Sequence, residues 1–187
     1  LVGRVPASVA ARQTLVLRTA IPSAPAALAM TARPATAQQQ GQPTELKATH
    51  GAWEVHCVTN KPDACYIGQI GNGGNGKPLV SVRIQRTPNL KGPNDQPIEA
   101  VIQIQAPLGV LLTAGVSLQI DSGEPGLAPY KFCTPQNCVV EEPVSAELIG
   151  RMKTGSSASM SVISALSGEK GQAILSLSGF TKAYNAL

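Results

Sequence analysis

Leu79-Val80-Ser81-Val82-Arg83-Ile84-Gln85-Arg86 decides the fold class. Val80, Val82 and Ile84 alternate with Ser81, Arg83 and Gln85. Side chains of an extended strand point to opposite faces in turn, so this octet presents one apolar and one polar face. The same period recurs on both sides of it. Upstream, Trp53, Val55 and Cys57 fall on one face of residues 51–59, with Glu54 and His56 on the other, and residues 65–70 read as the returning partner strand. Residues 71–76, Gly-Asn-Gly-Gly-Asn-Gly, form the connecting loop. Downstream, Ile98, Ala100, Ile102 and Ile104 mark the inner face of residues 98–105.

Further along the chain the pattern shortens. Residues 109–113 and 116–121 read as two short strands, and residues 130–133 and 138–141 as a hairpin closed by Thr134-Pro135-Gln136-Asn137. Residues 159–166 and 172–177 form a last pair around Ser167-Gly168-Glu169-Lys170-Gly171. One helix interrupts the strands near 145–154. Leu148, Ile149 and Met152 share a face, Ser145 stands where a hydroxyl caps the first turn, and Gly155 stands where a left-handed residue would end it. Residues 179–187 add a short terminal turn. Many short strands with Gly- and Pro-rich turns and a single helix predict an all-β fold, an antiparallel, immunoglobulin-like β-sandwich.

Charge divides the chain. Residues 1–37 carry Arg4, Arg12, Arg18 and Arg33 and no acidic residue. Four of the fifteen basic residues thus lie there, leaving eleven to balance the eleven acidic ones, and the formal net charge of +4 belongs to this leading segment. A nucleic-acid-binding body concentrates positive charge, so nucleic acid is not an expected partner. Small apolar residues from Ala20 to Ala32 and the small-x-small triplet Ala35-Thr36-Ala37 make residues 1–37 resemble an export signal cleaved before Gln38. An Arg-rich transit peptide and a low-complexity tail are the alternatives. Residues 38–45 are read as a flexible linker and 46–187 as the folded domain. No run is long enough for a helix to span a bilayer.

Four cysteines stand in two close pairs, Cys57 with Cys65 and Cys133 with Cys138. Short clipped loops read most simply as local disulfides, which persist in oxidising compartments, so the chain is expected to be periplasmic or secreted. Each would contribute about 2 kcal/mol, because closing a short loop removes little denatured-state entropy. A four-thiolate zinc site is the alternative, but Cys57 and Cys65 are more widely spaced than a structural zinc pair prefers. A redox role would call for Cys-x-x-Cys at a helix start, which neither pair provides.

Nothing else forms a catalytic set. No Gly-x-Ser-x-Gly elbow is present, and of the two histidines, His50 and His56, the second alternates out of phase with the apolar face. Glu141 and Glu142 are strand neighbours and point to opposite faces. Asp121-Ser122-Gly123-Glu124-Pro125-Gly126 lacks the ligand series of a calcium loop and reads as a turn. Residues 71–77 have the glycine and lysine spacing of a phosphate loop, but Pro78 stands where the hydroxyl residue belongs and a strand follows instead of a helix. No catalytic residue, cofactor or metal is expected.

Three stretches together resemble the invasion-associated locus B family of exported bacterial proteins. The first is Gly51-Ala52-Trp53-Glu54-Val55-His56-Cys57 followed by Cys65-Tyr66-Ile67-Gly68-Gln69. The second is Pro107-Leu108-Gly109-Val110-Leu111-Leu112 with Gly115-Val116-Ser117-Leu118-Gln119-Ile120-Asp121. The third is Tyr130-Lys131-Phe132-Cys133, then Cys138, the helix ending at Gly155, and Leu175-Ser176-Leu177-Ser178-Gly179-Phe180. The resemblance covers roughly residues 46–187 and implies an exported β-sandwich with both local disulfides. It carries over no catalytic residue. It implies an accessory protein of the envelope or the secreted fraction that binds a protein or envelope partner. A periplasmic binder of small molecules or envelope polymers is the second class, and a hydrolase with an unrecognised site the third. An exposed apolar patch would favour the first, a pocket with convergent polar groups the second, and a histidine, serine and carboxylate in hydrogen-bond reach the third.

Overall fold

In the computed structural model, which describes residues 42–88, 90–92 and 95–187, the alternating octet lies in β4 (Pro78–Arg86), with Val80, Val82 and Ile84 buried and Arg83, Gln85 and Arg86 exposed. The export-like segment 1–37 and linker residues 38–41 lie outside the described residues. The chain before β4 forms β1 (Thr44–His50), β2 (Trp53–Val58) and β3 (Lys61–Asn72). Beyond β4 come β5 (Ala100–Ala106), β6 (Val116–Ile120), β7 (Gly126–Ala128), β8 (Phe132–Cys133) and β9 (Cys138–Val144). Helix α1 (Ala146–Thr154) precedes β10 (Ser157–Ile163) and β11 (Lys170–Ser176), and α2 (Phe180–Asn185) closes the chain.

Every strand pair is antiparallel. The hydrogen-bonded path has two halves. One runs β1-β2-β3-β4-β5-β9-β8 and the other β7-β6-β10-β11. They join where Asn72 of β3 lies opposite Ile174 of β11. Val82, Ile84, Ile102 and Ile104 from the first half and Val116, Met160, Ala173 and Leu175 from the second bury their side chains in one core. That is the sandwich-like all-β arrangement the alternation predicts, with the sheet continuous from one half to the other.

Aromatic packing and a few directed hydrogen bonds hold the halves in place. Trp53 is fully buried, donates Nε1–H to the carbonyl of Ser176 at 2.9 Å, and meets Phe180 edge-on at 5.1 Å. Gln69 donates to the same carbonyl and accepts from the Ser176 amide, both at 2.9 Å. A half-buried amide side chain satisfied in both directions ties the two halves at this junction, since an unpaired polar group there would cost free energy. Phe180 and Tyr184 of α2 stack at 5.7 Å, and Ile149 and Met152 of α1 turn into the core.

Two glycines form a seam between the first turn and the last. Gly51 and Gly179 have φ of +60° and +86°, in the left-handed region that favours glycine. A Cβ on Gly179 would collide with the carbonyl of His50, and one on Gly51 with the carbonyl of Ser178.

The structure corrects three expectations. Thr44 and Glu45, read as linker, begin β1. Residues 109–113 are not a strand: only Val110 makes a bridge, to Ser164, and residues 112–114 turn into a 3-10 helix. Gly109 and Gly115, with φ of +85° and +62°, bend the chain out of the ladder at both ends of this run. Gly155 is extended, with φ of −74° and ψ of 165°, because the chain passes almost directly from α1 into β10. The expected cap at the other end is present, as the Ser145 hydroxyl accepts from the Leu148 amide at 3.3 Å.

Candidate functional site

Both cysteine pairs are covalently joined. Cys57 and Cys65 are direct cross-strand neighbours of β2 and β3, and Cys133 and Cys138 of β8 and β9. With every sulfur so engaged, no thiolate is free to bind zinc. Among the described residues no group of three or more His, Cys, Asp and Glu side chains is placed to hold a metal ion.

Both disulfides belong to the half of the sheet that carries a polar, aromatic outer face. Pairing register sets this face. Glu54 lies opposite Gly68, Gly68 opposite Arg83, Arg83 opposite Gln103, and Gln103 opposite Glu141. One row of positions thus crosses β2, β3, β4, β5 and β9, and a neighbouring row begins with His56 opposite Tyr66. The rings of His56 and Tyr66 stack at 5.3 Å with 13° between their planes, and the Arg83 guanidinium sits 5.0 Å from the Tyr66 centroid. Tyr66 is therefore flanked by an imidazole from β2 and a cation from β4, an arrangement that orders all three side chains.

Two concavities meet on this face and share Tyr66 and Arg83. The larger, about 410 Å³, is lined by Glu54, His56, Tyr66, Gly68, Ser81 and Arg83. The smaller, about 160 Å³, is lined by Tyr66, Arg83, Gln85, Val101, Gln103 and Glu141. Gly68, next to Arg83 in the row, carries no side chain, and a Cβ there would lie in ordinary contact with the Tyr66 ring at 3.6 Å. The carboxylates at the two ends have cationic or protonatable partners. Glu54 Oε2 lies 2.8 Å from His56 Nε2, and the Lys131 ammonium donates to Glu141 at 2.6 Å. Arg83 has no ion-pair partner among the described residues.

The other half of the sheet exposes leucines. Leu127, 69% exposed, stands on β7, the strand at the end of the hydrogen-bonded path. Leu108, Leu111 and Leu112 stand on the loop before β6, and Leu166 on the turn between β10 and β11. Short bonds tie these segments together. The Leu111 amide donates to the Ile163 carbonyl and the Ala165 amide to the Gly109 carbonyl, both at 2.8 Å, and a Cβ on Gly115 would lie 3.3 Å from the Leu127 side chain.

The family model for the invasion associated locus B (IalB) proteins matches residues 53–187. The chain belongs to this family. The crystal structure of invasion associated protein B from Bartonella henselae shares its fold, with 21% identity over 76% of this chain and 94% of that one and a TM-score of 0.56. Among curated proteins no match is found.

In this IalB family member the remaining candidates lie on strands, a hairpin and a turn. His56 is held between Glu54 and Tyr66. Residues 73–77 close the β3–β4 hairpin, with the Gly73 amide donating to the Lys77 carbonyl at 2.8 Å. Asp121 accepts from the backbone amides of Ser156 and Ser157 at 2.9–3.1 Å, and these donors, Ser156 first, hold its carboxyl below the usual range. Glu141 lies opposite Gln103 and Glu142 opposite Ile102, on the two faces of β9 as alternation requires. Tyr66, Arg83 and Gln103 were not singled out by the sequence as site residues. Their signal lay in the polar members of the alternation, where a ring, a guanidinium and an amide fall outward on three successive strands.

Proposed function

We propose that this IalB family member is an exported, non-enzymatic accessory protein of the cell envelope or secreted fraction that acts by binding another macromolecule. The observation that carries this reading is the leucine-bearing edge. Exposed apolar residues gathered from several segments suit burial against a protein partner, and a terminal strand leaves a row of backbone groups free to pair. The two disulfides support an oxidising compartment, since reducing cytosol does not maintain such bonds. A domain body beginning near residue 44, preceded by a linker and a cleaved segment, completes the proposal.

Cell fractionation tests the location. The chain is expected outside the cytoplasm, oxidised, with its mature N-terminus near Gln38; an intact leader on a reduced cytoplasmic chain would overturn it. Affinity capture from the envelope fraction tests the surface. Leu112→Ser combined with Leu127→Ser is expected to abolish retention of a partner that the unaltered chain holds, and unchanged retention would refute the leucine edge as the contact.

The outer polar face favours a second reading, the binding of an envelope polymer or small molecule. Its support is the pair of joined concavities with convergent polar groups around Tyr66 and Arg83.

A further inference from the structure

We propose that the outer face of β2, β3, β4, β5 and β9 binds an acidic saccharide, with a single carboxylate-bearing sugar unit on Arg83 and uncharged units to either side. This deepens the second reading above and rests on it.

The charge sequence along the row selects the ligand. Arg83 stands in the middle with no anionic partner among the described residues, whereas the carboxylates of Glu54 and Glu141 stand at the ends beside His56 and Lys131. A guanidinium offers five N–H donors in a planar fork that matches a carboxylate. Its place over Tyr66 holds that fork in position before any ligand arrives. Negative groups at the ends of the face would meet Glu54 or Glu141, so a polyanion charged at every unit is disfavoured there. An anion at the centre with neutral, hydroxyl-bearing flanks satisfies all three positions.

The chemistry between the charges points to sugar hydroxyls. Gln85 and Gln103 line the smaller concavity and Ser81 the larger, with amide and hydroxyl groups that both donate and accept. Five strands span roughly 19 Å at the usual strand spacing, which suits a chain of several units rather than one. An extended peptide is less suited. Its main chain is recognised by pairing with a free sheet edge, and β3, β4 and β5 are each paired on both sides. Gly68 keeps the floor of the row clear beneath such a chain.

Calorimetric titration of the oxidised full chain tests the assignment. The probe is a hexasaccharide of N-acetylglucosamine with a single glucuronate in place of its third unit. The comparators are a hexasaccharide of N-acetylglucosamine, free glucuronate and an acidic hexapeptide. Binding of the uronate hexasaccharide is expected, about tenfold or more tighter than each comparator, the scale of one charge-assisted pair. Arg83→Gln is expected to remove that advantage without lowering the melting temperature, since Arg83 is exposed, and Arg83→Lys to restore only part of it. Affinity unchanged within twofold in Arg83→Gln, or tighter binding of the peptide, overturns the proposal. Uncharged hexasaccharide binding equally well, lost in Tyr66→Ala and indifferent to Arg83, overturns the acidic assignment while sparing the second reading. Failure of every saccharide to bind overturns both, and leaves the leucine-edge reading to its own test.

Discussion

The two halves of the sheet are stabilised by different means. The half from β1 to β8 along the path carries both disulfides, one near each end, with successive antiparallel ladders between them. Its outer face is set by strand register, so Tyr66, Arg83 and Gln103 are positioned by the same hydrogen bonds that make the sheet. The half from β7 to β11 has no covalent clip. Its exposed leucines sit on a loop, a turn and a three-residue strand, joined by one isolated bridge and a few backbone bonds. The difference teaches a division of labour. A clipped ladder suits preformed recognition of a ligand, because side chains held in place lose little entropy on binding. A loosely tied apolar edge suits a partner that completes it.

The most severe way to break this contrast is to strike where the halves meet. Gly179→Ala places a Cβ against the His50 carbonyl at a φ of +86°, and we expect a loss on the order of 4 kcal/mol in denaturant unfolding, with both halves affected together. A loss below about 1 kcal/mol would mean that the seam yields and the halves are only weakly coupled.

Replacing Cys57 and Cys65 together by alanine is expected to cost about 2 kcal/mol. Amide exchange sharpens the comparison here. Protection should fall first in β2 and β3 while β6 and β10 keep theirs, and equal loss everywhere would show that the clip serves the whole fold rather than one half.

Tyr184 supplies a smaller effect with a defined pH window. Its hydroxyl donates to Glu99 at 3.0 Å, so Tyr184→Phe should cost about 1 kcal/mol at neutral pH. Burial first, and then the Glu99 carboxylate, push its phenol from 10.0 up to about 12. An unfolded tyrosine loses its proton near pH 10 while the folded one keeps it to about 12, so this contribution is complete below pH 10 and falls away between 10 and 12. Chemical unfolding followed across that range should show the decline, and Tyr184→Phe should flatten it. A decline of equal slope in the variant would assign it to other groups, of which Tyr130, also raised to about 12 by burial, is one.

The smallest stability change belongs to the leucine edge. Leu112 and Leu127 are 52% and 69% exposed, so Leu112→Ser and Leu127→Ser should each alter stability by less than about 0.5 kcal/mol. A thermal melt checks this. A larger loss would show that the edge is packed, and would bring the two halves closer in character.

Much of the architecture was legible where burial imposes a period. β4 and β5 alternate because one face is wet and the other dry, and Val82, Ile84, Ile102 and Ile104 reported that directly. β1 was partly hidden for the opposite reason. Thr44 to Lys47 are all exposed, Leu46 at 55%, so no period marks where the strand begins. Residues 109–113 misled because Val110, Leu111 and Leu112 form an apolar run, yet only Val110 is buried; apolar composition does not distinguish a core strand from an exposed loop. The polar face was legible only in fragments. Each outward side chain follows from its own strand, but the row from Glu54 to Glu141 depends on register across five strands, a tertiary relation that no local spacing contains.

The Gly51–Gly179 seam also sets an order of events. Trp53 and Ser176, joined by a hydrogen bond, are 123 residues apart, and the turn at His50–Gly51 is completed only by backbone from Ser178 and Gly179. The opening hairpin cannot reach its final packing until nearly the whole polypeptide is present, so a nascent chain still lacking its last dozen residues stays open at this corner. Closure arrives late, and loop-closure entropy over so long a span makes it slow.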